Sequence, residues 1–162
     1  GADGTMYVSH FTDGEVTAID RDGAQRVAVA GGMTGPFGMA VQTDGQLIVA
    51  DGMSLAAIDQ AGGISRPAML LQHGFPGYVR GIAAANDGRT IVTNSAGQCA
   101  RYRPGEEPDV LVDGLDCAMG VVAAPSGEIF LCDGGSGSIV AIVMMMVLMV
   151  LTFAKRMMSP IR

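Results

Sequence analysis

The chain has 162 residues, enough for one domain with a sizeable core, and its 24 Gly and 7 Pro against 5% aromatic and 16% charged residues favour many short strands joined by tight turns. All sixteen acidic residues lie before position 143, against seven arginines and no lysine there, so the first 142 residues carry about −9 and the rest +3. A body this acidic has no electrostatic grip on a phosphate backbone, which excludes nucleic acid and leaves cations, neutral ligands and basic partners open.

The first segment, DGTMYVSHFTDGEVTAID from Asp3, reads as a turn, an apolar strand, a loop and a second strand, followed by RVAVA. Next come a Gly-centred strand, PFGMAVQT, then DGQLIVADGMSLAAID from Asp44, then AMLLQ. The pattern returns as VRGIAAAN, DGRTIVTNSAGQCARYR from Asp87 and DVLVD, and again as AMGVVAAP and SGEIFLCDGGSGSIVAI from Ser126. The segment starts are 41, 43 and 39 residues apart, and Gly38, Gly81 and Gly120 are again 43 and 39 apart. In each unit an Asp-Gly or Ser-Gly turn joins two strands: Gly takes the positive φ of a hairpin and Asp bonds its own backbone. Four antiparallel strands per roughly 40 residues is the blade of a β-propeller, in which radial packing leaves only short edges. A sandwich of unrelated hairpins does not predict matching offsets.

These units resemble those of six- or seven-bladed propellers. Segments of the form PFGMAVQTDGQLIVADG are similar to the repeats of NHL proteins, the senescence-marker/gluconolactonase family, strictosidine synthase-like proteins and the streptogramin lyases, over about residues 3–142. The expected fold is therefore all-β, a β-propeller with blades at about 3–30, 36–72, 79–113 and 118–142. The first unit lacks its Gly-centred strand and the last a recognisable fourth strand, so about three and a half to four blades are present, fewer than these relatives use. The propeller is expected to be incomplete, with an apolar tail at 143–162.

Equivalent positions of successive blades form a ring about one axis. Six residues after each turn Gly stand His10, Asp51, Asn94 and Asp133, polar residues that end apolar strands and carry oxygen or imidazole nitrogen able to ligate a cation. The same residue types are common where strands enter loops, so the column reads equally as turn chemistry. In the gluconolactonase family a divalent cation at the channel mouth is held by a Glu of the first strand, an Asn just before a blade Gly and an Asp at the end of a second strand. It polarises the lactone carbonyl and activates water. The resemblance implies that Asp51, Asn94 and Asp133 hold a divalent cation, Ca or Zn, with Asp133 at the reaction and His10 available as a base. Only the Asp is matched: Phe37, Arg80 and Met119 stand where the Asn would, and the strand that would carry the Glu is absent. In the streptogramin lyases a Glu or His occupies the second-strand column, which His10 fits, but their His before a blade Gly has no counterpart.

Arg80 follows GYV in an otherwise apolar strand, where side chains of the relatives point into the channel. It is a substrate-binding candidate for a carboxylate or carbonyl oxygen, or a partner for Asp51 or Asp133. His73, in LQHGFPGYV, reads as a loop residue. Cys99, Cys117 and Cys132 are odd in number and lack a CxxC spacing, which points to buried free thiols rather than a disulfide framework or zinc knuckle. The chain begins GADG, without an initiator Met or signal-peptide regions, as a processed form or a fragment would, and compartment is not legible from this end.

From Val143 the repeat gives way to VMMMVLMVLTFAKRMMSPIR, with six of the twelve methionines and no acid. From Ile139 to Ala154 the only polar residue is Thr152, and three readings stand: a replacement outer strand or helix, membrane contact, or a non-native end. Ile139 to Ile142 already serve as a blade strand, which leaves too few residues for a span. An exposed apolar edge of this kind favours self-association. Two functional classes remain: a metal-dependent hydrolase of a small ester or lactone, and a non-catalytic propeller scaffold presenting loops to a small ligand or a protein. An inactive fragment is the third alternative.

Overall fold

The computed structural model describes residues 1–29, 32–143 and 149–153. Fifteen strands and one 3-10 turn make up the described elements, in four antiparallel sheets whose strands follow chain order. The first sheet has three strands, β1 (Met6–His10), β2 (Glu15–Ile19) and β3 (Gln25–Val29). The second has β4 (Pro36–Val41), β5 (Leu47–Asp51), β6 (Ser54–Ile58) and β7 (Ile64–Met69). The third has β8 (Val79–Ala84), β9 (Thr90–Asn94), β10 (Cys99–Tyr102) and β11 (Asp109–Val112). The fourth has β12 (Ala118–Ala123), β13 (Ile129–Asp133), β14 (Ser138–Val143) and β15 (Met149–Phe153).

The Asp-Gly turns join the first two strands of a blade. Gly45 and Gly88 have φ of 84° and 77°, and Asp44 and Asp87 each accept the N–H two residues on, at 2.9 and 3.0 Å. A residue with a Cβ is strained at such φ, so Gly is selected there. The three Gly-centred strands β4, β8 and β12 lie side by side as the innermost strands, β8 packing on both β4 and β12, while the first sheet meets β4 through β1. The spacing of Gly38 and Gly81 now has a cause. A Cβ on Gly38 would stand 2.3 Å from the Arg80 carbonyl oxygen, and one on Gly81 2.3 Å from that of Met119. The backbone of each inner strand is seated against the glycine of the one before. Gly120 has no atom within 4 Å of the equivalent position, because among the described residues no further inner strand packs on β12.

Burial tells the same story. Three apolar clusters fill the three spaces between sheets, centred on Val49 and Ile58, on Leu55, Phe75 and Val92, and on Ile91, Leu131 and Ile142. Every residue of β5, β6 and β9 is buried because these strands have neighbours on both faces. In β13 burial alternates: Ile129, Leu131 and Asp133 face in, while Phe130 and Cys132 face out. Val122 opposes Phe130 and Ile139 opposes Cys132, so all four form one exposed face on the fourth sheet. Among the described residues the ring of blades is open at β12, as expected of an incomplete propeller.

The fourth sheet has the outer strand that was not recognisable in its sequence. Met149–Phe153 pairs antiparallel along Ser138–Val143, so part of the Met-rich segment continues the blade. Residues 144–148 and 154–162 lie outside the described residues, including the basic end of the stretch considered for membrane contact. Among the described residues no helix is long and apolar enough to cross a membrane. His73 ends the 3-10 turn Leu70–His73 and meets Glu107 at 3.1 Å on the surface. All three cysteines are free, but only Cys99 is buried, and burial pushes its thiol up to about 12; Cys117 is half-buried and Cys132 exposed, contrary to the expectation of buried thiols.

Candidate functional site

The polar column occupies one structural position. Asp51, Asn94 and Asp133 end the second strands and pair, Cα to Cα, with Pro36, Val79 and Ala118, the first residues of the innermost strands. Each side chain therefore lies beside the connection that enters its own blade. Asp51 Oδ1 accepts the N–H groups of Thr34 and Gly35 at 2.6 and 2.8 Å, and its Oδ2 accepts from Arg66 at 2.8 Å. Asp133 accepts from the backbone of Cys117 and Asp116 at 2.8 and 3.3 Å and from the Ser136 hydroxyl at 2.7 Å. The Cys117 N–H, the Ser136 hydroxyl and the Asp116 N–H together hold its carboxyl below the usual carboxylate range, against the opposing effect of desolvation. Asn94 donates to the Pro76 carbonyl at 2.7 Å and to Gln98 Oε1 at 2.9 Å, and accepts the Gln98 N–H at 2.8 Å. All three are buried and each polar atom has at least one hydrogen-bond partner, which answers the desolvation cost of burying them.

That donor set does not fit the divalent cation expected of Asp51, Asn94 and Asp133. Every carboxylate oxygen of Asp51 and Asp133 already accepts from an N–H or hydroxyl donor, and among the described residues no three His, Cys, Asp or Glu side chains are grouped to hold a metal. His10 differs because the first sheet has no Gly-centred strand beside it. Its Nε2 lies 2.8 Å from Thr17 Oγ1 on the adjoining strand, and the expected convergence of His10 with Asp133 about a shared reaction centre has no contact to support it. In the second, third and fourth sheets the column ties the blade's second strand to the loop that enters it.

Arg80 has a different environment. It does not pair with Asp51, which takes Arg66 instead, nor with Asp133, and it forms no ion pair among the described residues. Its Cζ lies 5.2 Å over the Phe37 ring centroid, and its Nε is buried with no hydrogen-bond partner. Register shifts in all three inner ladders, between Pro36 and Met39, Val79 and Ile82, and Ala118 and Val121, mark a bulge at each blade glycine. A bulge re-aims the side chains beside it, here Phe37 and Arg80. Phe37 meets Phe11 edge-on at 6.3 Å between centroids. Phe11, Phe37 and Tyr78 are 62%, 40% and 58% exposed, unusual for aromatic rings so close together. With Gly35, Gly52 and Val79 they line a cavity of about 120 Å3.

Backbone bonds hold this mouth in place. Ser9 donates to the Phe37 carbonyl at 2.9 Å, Val79 N–H to the Gly52 carbonyl at 2.8 Å, and Tyr78 exchanges hydrogen bonds with Ser95 at 2.9 and 2.8 Å. Three consecutive blades thus contribute one rigid rim. Sequence reading singled out Arg80 but missed Phe11, Phe37 and Tyr78 as a group; the signal was that two of the three residues preceding a blade glycine are Phe and Arg.

No family model matches the chain, and no curated protein matches its sequence. Solved structures do match. A gluconolactonase from Xanthomonas campestris is similar with a TM-score of 0.80 at 18% identity, over 94% of this chain and 59% of that one. The fold is that of a partial β-propeller. Virginiamycin B lyase from Staphylococcus aureus gives 0.75 at 13% identity over 96% of this chain and 54% of that one, and regucalcin, a calcium-binding protein from Agrobacterium tumefaciens, gives 0.67 at 14% over 88% and 54%. The chain spans little more than half the length of these propellers, in keeping with the open face at Gly120.

Proposed function

We propose that the mouth formed by Phe11, Phe37, Tyr78 and Arg80 is a small-molecule site, and that the chain is a ligand-binding part of a propeller. The observation that carries this reading is the cluster of exposed aromatic rings, Phe11, Phe37 and Tyr78, around the Arg80 guanidinium, which has no ion pair among the described residues and whose Cζ lies 5.2 Å from the Phe37 centroid. Concave, largely apolar surfaces with one convergent polar group are where small molecules bind.

Propellers of similar fold include a virginiamycin B lyase solved with quinupristin and the nidogen–laminin complex, so small-molecule and protein recognition are both within reach of the architecture. The small concave rim of aromatic rings favours the former. A metal-dependent ester or lactone hydrolase, the chemistry of the gluconolactonase likeness, would need a cation held by residues other than Asp51, Asn94 and Asp133. Binding therefore stands ahead of catalysis. Ligand-observed NMR with a set of small aromatic compounds tests the reading: hits are expected on the wild type and are lost in Phe37→Ala and Tyr78→Ala. Hits that persist unchanged in both variants, or none at millimolar concentration, would sink it.

A further inference from the structure

We infer that the ligand of this mouth is a monoanionic organic carboxylate bearing a flat apolar group, held by the Arg80 guanidinium; this rests on the mouth being a binding site at all. The guanidinium carbon lies 5.2 Å from the Phe37 ring centroid, and the group has no carboxylate partner among the described residues. Its Nε is fully buried, so the donors within a ligand's reach are the two Nη groups. An acceptor that bonds both Nη groups must present two oxygens in one plane, at the spacing of the guanidinium fork, which is the geometry of a carboxylate. A single carbonyl oxygen reaches one donor and leaves the other unpaired.

Phosphate and sulfate also offer paired oxygens, but charge and lining select against them. The chain carries a formal net charge of −6, and no second cation stands on the rim to share a dianion's charge. Around Arg80 the rim is Phe11, Phe37, Tyr78 and Val79, and the cavity of about 120 Å3 has room for a small ring or a branched acyl group rather than a hydrated polyanion. Phe11 and Phe37 stand at 90° to one another, so a flat group entering beside them meets one ring's face and the other's edge, both favourable contacts for an aromatic or unsaturated ligand. Ion pair and apolar contact are then made by one molecule, without the dehydration of an isolated charge.

Calorimetric titration of the full chain with benzoate, benzamide and inorganic phosphate tests the assignment. Benzoate is expected to saturate; benzamide, which keeps the ring and loses the anion, and phosphate, which keeps the anion and loses the ring, are each expected to bind at least about tenfold more weakly. Arg80→Lys retains the charge but not the fork and is expected to weaken benzoate at least about tenfold, while Arg80→Gln brings benzoate down to the level of benzamide. Benzamide binding as tightly as benzoate, with both lost in Phe37→Ala, would overturn the carboxylate and leave the binding site standing. Phosphate binding more tightly than benzoate would also overturn the carboxylate. Absence of binding by all three probes would overturn the site and the assignment together. Circular dichroism spectra of the variants matching the wild type exclude misfolding as the source of any loss.

Discussion

Alanine at the three blade glycines measures where the ring of sheets is closed and where it is open. A Cβ at Gly38 would meet Arg80 O at 2.3 Å and Ile82 N at 3.2 Å; one at Gly81 would meet Met119 O at 2.3 Å, Thr93 Oγ1 at 2.9 Å and Val121 N at 3.0 Å. None of the three glycines has a positive φ, so the effect is steric and not conformational. Relief requires neighbouring inner strands to part by roughly 1 Å, which a close-packed interior resists. Overpacking of this kind costs typically about 1–3 kcal/mol and occasionally more, and the obstacle here is backbone on a neighbouring sheet, so Gly38→Ala and Gly81→Ala are each expected at the upper end of that range. For a chain of this length that lowers the melting temperature by roughly 4–12 °C. Gly120 has nothing within 4 Å, and removing Gly from a strand recovers about 0.5–1 kcal/mol, so Gly120→Ala is expected to be neutral or stabilising. Urea unfolding of the three variants, followed by circular dichroism, reads the difference directly. A Gly120→Ala loss equal to that of Gly81→Ala would mean that β12 is covered, and would refute the open-ended ring.

Further outcomes follow from the column and the thiols. Asp51→Ala leaves the N–H groups of Thr34 and Gly35 and the Arg66 guanidinium without their acceptor, and is expected to cost about 2–4 kcal/mol by urea unfolding. Calcium or zinc is expected to leave the melting temperature unchanged; a rise that disappears in Asp133→Ala would return the column to metal binding. Because the Asp133 carboxyl is held below its ordinary value, its contribution is fully present above the unfolded pKa of about 4 and is lost as pH falls through the lower folded value. Asp133→Asn is therefore expected to be less stable than the wild type at pH 7, with the gap narrowing at pH 2–3 in acid-unfolding curves. Iodoacetamide at pH 8 is expected to label exposed Cys132 and to spare Cys99, whose buried thiol lies at about 12, until the protein unfolds; equal labelling by mass spectrometry would contradict the placement of the third interface.

The blades were legible because their signals are local. An Asp-Gly turn fixes a hairpin within four residues, and the apolar runs LIVA and TIVT mark strands buried on both faces. The blade glycines were legible as a spacing but not as a cause, since the carbonyl each one admits lies some forty residues away in the chain. The column was legible as polar and illegible in role. Its donors sit in the connections Thr34–Gly35 and Asp116–Cys117, which share no sequence pattern, and only the Cα pairing of Asp51 with Pro36 and of Asp133 with Ala118 brings them together. Met149–Phe153 was legible only as one of three readings, a replacement outer strand or helix among them, because a run of Met, Val and Leu has neither the alternation nor the bounding turn that identifies a strand. The aromatic rim was hidden for a related reason: Phe11 and Tyr78 lie in loops, where no period announces them.

The most direct test of the functional account is the 15N-resolved side-chain spectrum of the arginines during a benzoate titration. The Arg80 Nε–H resonance, assigned by its loss in Arg80→Lys, is expected to be visible in the free protein because it is buried, and to move to saturation as the carboxylate binds the guanidinium, while the amides of Thr34, Gly35 and Cys117 stay in place. Movement of those three amides with Arg80 unchanged would put the ligand at the column and contradict the account.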